Sequence, residues 1–141
     1  VHEDIVVKCL ANSFFDAKAP KSLDRNTFAD IALDGLNVAD GAATLVALTV
    51  RSIARSQKLM PAAPHRWIIC GGGRHNRAIM RGLDGALKNV SAAEQFALDG
   101  DAIEAEAWAF LAVRSLRGLP LTYPATTGTR EPVTGGILVK P

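Results

Sequence analysis

Apolar positions recur at helical spacing through the first sixty residues and then change rhythm. Ile5, Val6, Leu10 and Phe14 predict an amphipathic helix over residues 2–15, with Ile5, Cys9 and Ala11 through Phe15 on its apolar side. A break at 16–22 carries Pro20-Lys21-Ser22, and Asp24 is placed to cap a second helix covering Arg25–Leu33 that stops near Gly35. A third helix is predicted from Asp40 to Gln57. Its buried stripe reads as Ala42, Leu45, Val46, Thr49 and Ile53, with Arg51, Arg55 and Lys58 on the far side and at the C-terminal end. Pro61 and Pro64 close this helical segment.

The pattern then shortens. Trp67, Ile68, Ile69 and Cys70 form an apolar run bounded by proline and glycine, which reads as a buried central strand. Gly71, Gly72 and Gly73 follow, and a helix at roughly His75–Leu87 turns Ile79, Met80, Leu83 and Leu87 to one side. Val90–Phe96 predicts a second strand. Asp101–Arg117 predicts a helix that ends at Gly118 with Pro120 beyond, and Ala105, Ala109 and Ala112 give it a face of small side chains. The tail, Leu119 to Pro141, reads as irregular apart from a short strand at Ile137–Val139. The order of elements predicts an α/β fold, helix-rich, with a small sheet flanked by helices. It divides into a helical segment at 1–60, a strand–helix–strand–helix unit at 66–117 and an irregular tail at 118–141. Such units bind ligands at the carboxyl ends of their strands, where the glycines lie.

Composition narrows the class. A chain of 141 residues, 48% hydrophobic and 21% charged, is one domain able to bury a core. The net charge of +2 with scattered arginines argues against a nucleic-acid surface, and no apolar run is long enough to span a bilayer. Cys9 and Cys70 form neither a metal-ligand cluster nor a disulfide framework, which gives a cytoplasmic location as the expectation. The start at Val1, directly in helical spacing, gives the further expectation of a piece of a longer protein.

The candidate chemistry centres on the glycines. Three residues without Cβ let backbone amides approach a ligand, and a following helix N-terminus favours an anion or nucleotide. The competing reading is a tight packing turn. Gly71 and Gly73 match the dinucleotide fingerprint, but its third glycine is Asn76 here, and no P-loop lysine follows. Asp101 and Glu104 stand at capping-box spacing, which explains both carboxylates structurally; the alternative has Glu104 facing the cleft. His75, in the first turn of the glycine helix, reads as a hydrogen-bonding bystander, and Cys70 as a buried structural thiol. Lys21 is within conceivable reach of a phosphate, while Arg74, Arg77 and Arg81 read as a solvated face near it.

Several runs recur in one order: Ala19-Pro20-Lys21-Ser22 with Phe28, Asp40-Gly41-Ala42-Ala43-Thr44-Leu45, and Ile69-Cys70-Gly71-Gly72-Gly73-Arg74-His75-Asn76. They are followed by Leu98-Asp99-Gly100-Asp101-Ala102-Ile103-Glu104-Ala105, Gly118-Leu119-Pro120 and Thr126-Thr127-Gly128. The series resembles the C-terminal part of bacterial anhydro-N-acetylmuramic acid kinases, of the sugar kinase, actin and heat-shock chaperone superfamily. The resemblance implies a partial ribonuclease-H-like (actin-like ATPase) lobe. It also implies an enzyme that uses ATP and Mg2+ to open the 1,6-anhydro bond of an amino sugar with water and phosphorylate O6, in cell-wall recycling. By resemblance, Gly71, Gly72, Gly73 and Asn76 bind the nucleotide, and Glu104 holds the anhydro-sugar. No catalytic or metal-binding residue is implied within these 141 residues, because the family's phosphate loops and its aspartate base have no counterpart among them. The family's Pro-Lys-Ser-Thr-Gly-Arg run appears as Pro20-Lys21-Ser22-Leu23-Asp24-Arg25. The lobe by itself is expected to be inactive and to associate as a homodimer through an unpaired sheet edge or the small face of residues 101–117. Two further readings stand beside this one: a stand-alone nucleotide-binding module, for which Glu94 would be the ribose-binding acid, and a helical interaction domain.

Overall fold

Asn37 starts the longest helix. Its side-chain oxygen accepts from the amide of Asp40, and α2 then runs from Val38 to Arg55. In the computed structural model, which describes residues 1–139, this helix is the spine on which the other elements pack. Before it comes α1, Glu3–Leu10. After it come β1, Trp67–Ile69; α3, Arg77–Ala86; β2, Val90–Ala92; α4, Ile103–Leu116; and a single turn, α5, Pro124–Thr127.

The strands β1 and β2 pair in parallel, with Trp67 opposite Val90, Ile68 opposite Ser91 and Ile69 opposite Ala92. The two strands and α3 thus form a β–α–β crossover, and α4 follows β2 in the chain. Val50 of α2 meets Leu83 and Leu87 from α3 and its exit. Val46, Ile53, Trp67, Ile69, Ile79 and Val90 pack around them. Gly82 permits the close approach: a Cβ built there would lie 2.7 Å from Val50 Cγ2. The first helix also packs on α2: Val6 of α1 is fully buried, and the hydroxyl of the buried Thr44 accepts from the His2 amide at 3.0 Å.

Several sequence expectations change here. The first helix ends at Leu10, and Asn12 caps a separate 3-10 turn, Ser13–Asp16, that buries Phe15; Val6, not Ile5 or Cys9, is the buried residue of α1. Asp24 does act as a cap, but the second helix is only a 3-10 turn, Arg25–Phe28. The buried positions of α2 are Thr44, Leu48 and Val50; Ala42, Leu45 and Thr49 are exposed. The helix faces two partners, so a single stripe cannot describe it. Arg51 and Arg55 are anchors: Arg51 holds Glu3 through two bonds of 2.5 and 2.8 Å, and Arg55 reaches the Leu10 carbonyl and Asp16.

The sheet has two strands among the described residues, so β1 is not a buried central strand, and Ile68 is 45% exposed. The second strand stops at Ala92, and Ala93–Phe96 is a 3-10 turn. The tail holds α5 and a single antiparallel bridge between Thr122 and Val133, and Ile137–Val139 is not a strand. Residues 140 and 141, the end of the expected tail, lie outside the described residues. The last long helix is bonded to this tail: Ser115 donates to the Gly135 carbonyl, and Arg114 to the Pro120 carbonyl and the Tyr123 hydroxyl. Trp108, Phe110, Val113 and Leu116 stay exposed along α4. No helix among the described residues is long and apolar enough to cross a membrane.

Candidate functional site

The chain leaves β1 through Cys70 and turns at Gly71, whose φ of 72° is in the region that favours glycine. The Gly71 amide donates to the Gly100 carbonyl at 2.8 Å, which ties the turn to the segment leading into α4. Gly72–His75 then forms a 3-10 turn. The amides of Gly72 and Gly73 open that turn without a backbone partner among the described residues. A Cβ built on Gly71, Gly72 or Gly73 would meet nothing within 4 Å. The φ of Gly71 accounts for that glycine, whereas packing among the described residues gives no reason for Gly72 and Gly73.

Asn76 ends the turn and caps α3, its Oδ1 accepting from the amides of Ala78 at 2.9 Å and Ile79 at 3.3 Å. The side-chain nitrogen of Asn76 makes no hydrogen bond among the described residues. His75 precedes α3 and lies in the 3-10 turn, 3.5 Å from Asp101 Oδ1, so it is not a first-turn residue of the helix.

Arg74 is the residue that sequence reasoning missed. Its side chain is only 4% exposed. Nε donates to Glu94 Oε1 at 2.7 Å, and one terminal nitrogen donates to Asp101 Oδ1 at 2.6 Å and to the Gly71 carbonyl at 2.9 Å. The guanidinium therefore sits under the glycine turn and holds the exit of β2 and the approach to α4. Gly100 makes room for it: a Cβ there would lie 2.4 Å from Arg74 Nε and 2.8 Å from Glu94 Oε1. The bond from Arg74 holds Asp101 at a pKa of about 2, against burial acting the other way. Glu94 is also lowered, first by its own amide and then by Arg74. Arg74 is raised still further, chiefly by Asp101.

This arrangement makes stability depend on pH. Asp101 has a folded pKa below its ordinary 3.8, so its contribution to stability is complete above that value and disappears as pH falls toward about 2. Denaturation midpoints measured from pH 5 to 2 are expected to drop across that window, and Asp101→Asn is expected to flatten this limb. An unchanged acid limb in the variant would refute the assignment.

The expected capping box is replaced. Asp99, not Asp101, serves the approach to α4, its Oδ1 accepting from the amides of Asp101 at 3.0 Å and Ala102 at 3.2 Å. Arg74 claims the Asp101 carboxylate, and Glu104 is left exposed in the first turn of α4 with no hydrogen bond among the described residues. Cys70 is exposed rather than buried. Lys21 is engaged locally, donating to the Phe14 carbonyl with its ammonium 4.3 Å from the Phe14 ring centroid. Arg77 and Arg81 are exposed, as expected, but Arg74 does not belong with them. Glu94 is committed to Arg74, which removes it as a free ribose-binding acid.

The family model described as anhydro-N-acetylmuramic acid kinase matches residues 1–141. Curated proteins named anhydro-N-acetylmuramic acid kinase are similar to the chain. That of Rhodospirillum rubrum is 55% identical over 128 residues, covering 90% of this chain and 34% of that protein. Those of Agrobacterium fabrum and Rhodopseudomonas palustris are 51% and 49% identical, each over 96% of this chain and 38% of theirs. The chain thus spans little more than a third of the length of the curated relatives it matches.

Proposed function

The chain belongs to the anhydro-N-acetylmuramic acid kinase family, and we propose that it is the C-terminal, ribonuclease-H-like lobe of an ATP-dependent enzyme of cell-wall recycling in the cytoplasm. The reaction adds water to C1 of 1,6-anhydro-N-acetylmuramic acid as the C1–O6 bond breaks. O6 takes the γ-phosphoryl group and ADP leaves, giving N-acetylmuramic acid 6-phosphate. In this reading residues 1–60 support the strand–helix unit of 66–117, which carries both ligand contacts. Gly71, Gly72 and Gly73, with the amide nitrogen of Asn76, form the adenosine wall. Glu104 accepts hydrogen bonds from the sugar.

The observation that carries the reading is the open glycine turn at the carboxyl end of β1, where a Cβ on Gly72 or Gly73 would meet no atom of the described residues within 4 Å. The uncommitted carboxylate of Glu104 adds to it. Among the described residues no group of three or more His, Cys, Asp or Glu side chains could hold a metal ion, and Glu94 and Asp101 are engaged by Arg74. Magnesium is assigned no ligand among the described residues, and no step is routed through it.

Gly73→Val tests the adenosine wall. The position is exposed and the new side chain meets no protein atom at its Cβ, so stability is expected to hold within about 0.5 kcal/mol. Affinity for an ATP analogue, measured by calorimetry on the full-length enzyme, is expected to fall tenfold or more. Unchanged affinity would leave the turn a structural feature.

Association belongs to the same reading. A symmetric contact with a second copy is assigned to the unpaired sheet edge or to the face of α4 that carries Ala105, Ala109 and Ala112 together with the exposed Trp108 and Leu116, as obligate interfaces are apolar at their centre. Sedimentation at low micromolar concentration is expected to give a dimer, which Trp108→Glu dissociates where the α4 face is the contact; a monomeric wild type refutes this part.

A further inference from the structure

We infer that Arg74 is a positioning residue that couples the nucleotide side of the cleft to the sugar side, an inference that rests on the roles proposed for Gly71–Gly73 and Glu104. One buried guanidinium is bonded to three segments. It bonds the carbonyl of Gly71, where the adenosine wall begins, and the carboxylates of Glu94, just beyond β2, and Asp101, three residues before Glu104. A second link runs alongside, from the Gly71 amide to the Gly100 carbonyl. The glycine turn and the N-terminal end of α4 are thereby bound to one rigid, planar group. Its fork geometry has no equivalent in a lysine.

The two ligand sites consequently share one mechanical element. A nucleotide that fixes the turn fixes Gly71, and through Arg74 it fixes Asp101 and the first turn of α4, where Glu104 stands. Ordering shared in this way makes the second ligand bind more tightly once the first is present, and thermodynamic linkage makes the effect reciprocal. Gly100 belongs to the device, because only a residue without Cβ leaves the guanidinium its place.

The test measures this coupling in the full-length enzyme. Affinity for adenylyl imidodiphosphate is determined by calorimetry with and without saturating 1,6-anhydro-N-acetylmuramic acid. The converse titration is run with the sugar. The wild type is expected to show the same enhancement, on the order of tenfold, in both directions. Arg74→Lys keeps the charge and loses the fork, and is expected to reduce the enhancement to less than about twofold while each ligand alone binds within threefold of wild type. Asp101→Asn, which leaves Arg74 on Glu94 and Gly71, supplies a second and milder break, with the enhancement again reduced. Steady-state kinetics carry the same signature: KM for each substrate loses its dependence on the other. Full enhancement in both variants, or a wild-type enhancement of one, overturns the inference. Failures of the two ideas are distinguishable. A wild type that binds neither ligand, or a Glu104→Gln variant with unchanged sugar affinity, strikes the proposed site roles and the coupling with them. Independent binding of both ligands strikes the coupling alone.

Discussion

Incubated with ATP, magnesium and 1,6-anhydro-N-acetylmuramic acid, the isolated 141-residue chain is expected to release no ADP above the protein-free rate. Phosphoryl transfer depends on positioning the nucleophile and stabilising charge on the transferring group. Holding reactants in line supplies roughly 7–11 kcal/mol of a typical barrier reduction, which two dispersed binding contacts cannot provide. The carboxylates nearest the glycine turn are spoken for. Glu94 and Asp101 bond to Arg74, and the low pKa of Asp101 makes it a poor proton acceptor. Glu104 is free, but in the proposed reading it binds sugar. The chain also spans only 34–39% of the length of its curated relatives. A coupled assay for ADP, with the full-length enzyme as positive control, decides the matter. Turnover by the isolated chain would mean that its own side chains activate water and place the phosphate, which would overturn the reading of it as one lobe.

Local features were legible where neighbouring residues decide them. The strand at Trp67, the glycine turn and the apolar side of α3 follow from spacing alone, and the structure has all three. Asp24 was a readable cap, yet no helix continues past Phe28; Asp30 and Asp34 are weak helix formers and Gly35 adopts φ of 82°. The face of α2 was not legible because it packs against both α1 and α3. The roles of its arginines were hidden because Glu3 lies 48 residues from Arg51, and Asp16 lies 39 from Arg55. Arg74 illustrates the same limit at the site. Its partners lie 20 and 27 residues away, beyond what any helical or strand period connects. The spacing of Asp101 and Glu104 favoured a capping box, and a long-range partner removed one member of it.

Gly100→Ala is expected to destabilise the lobe although it adds a single methyl group. The backbone there lies outside the left-handed region, so alanine is acceptable on conformational grounds and would by itself stiffen the unfolded chain by about 0.4–1 kcal/mol. The added Cβ decides the outcome. It would lie 2.4 Å from Arg74 Nε, 2.7 Å from Cζ and 2.8 Å from Glu94 Oε1. A flexible side chain would swing away, but this guanidinium is bonded to Glu94, Asp101 and Gly71 and has no free direction. Either the Gly100 backbone retreats, breaking its bond from the Gly71 amide, or Arg74 leaves its two carboxylates. Overpacking of this kind costs about 1–3 kcal/mol, which exceeds the gain from the unfolded chain. Chemical denaturation of the wild type and Gly100→Ala is the measurement, with Gly72→Ala as control because a Cβ there meets nothing within 4 Å. A second readout separates the two ways of yielding. If Arg74 moves, Asp101 returns toward its ordinary range and the loss of stability between pH 4 and 2 flattens; if the backbone moves, that limb survives at a lower midpoint. A Gly100→Ala protein as stable as the wild type would show that the space beside Arg74 is not needed, and the three-way hold on the guanidinium would have to be abandoned.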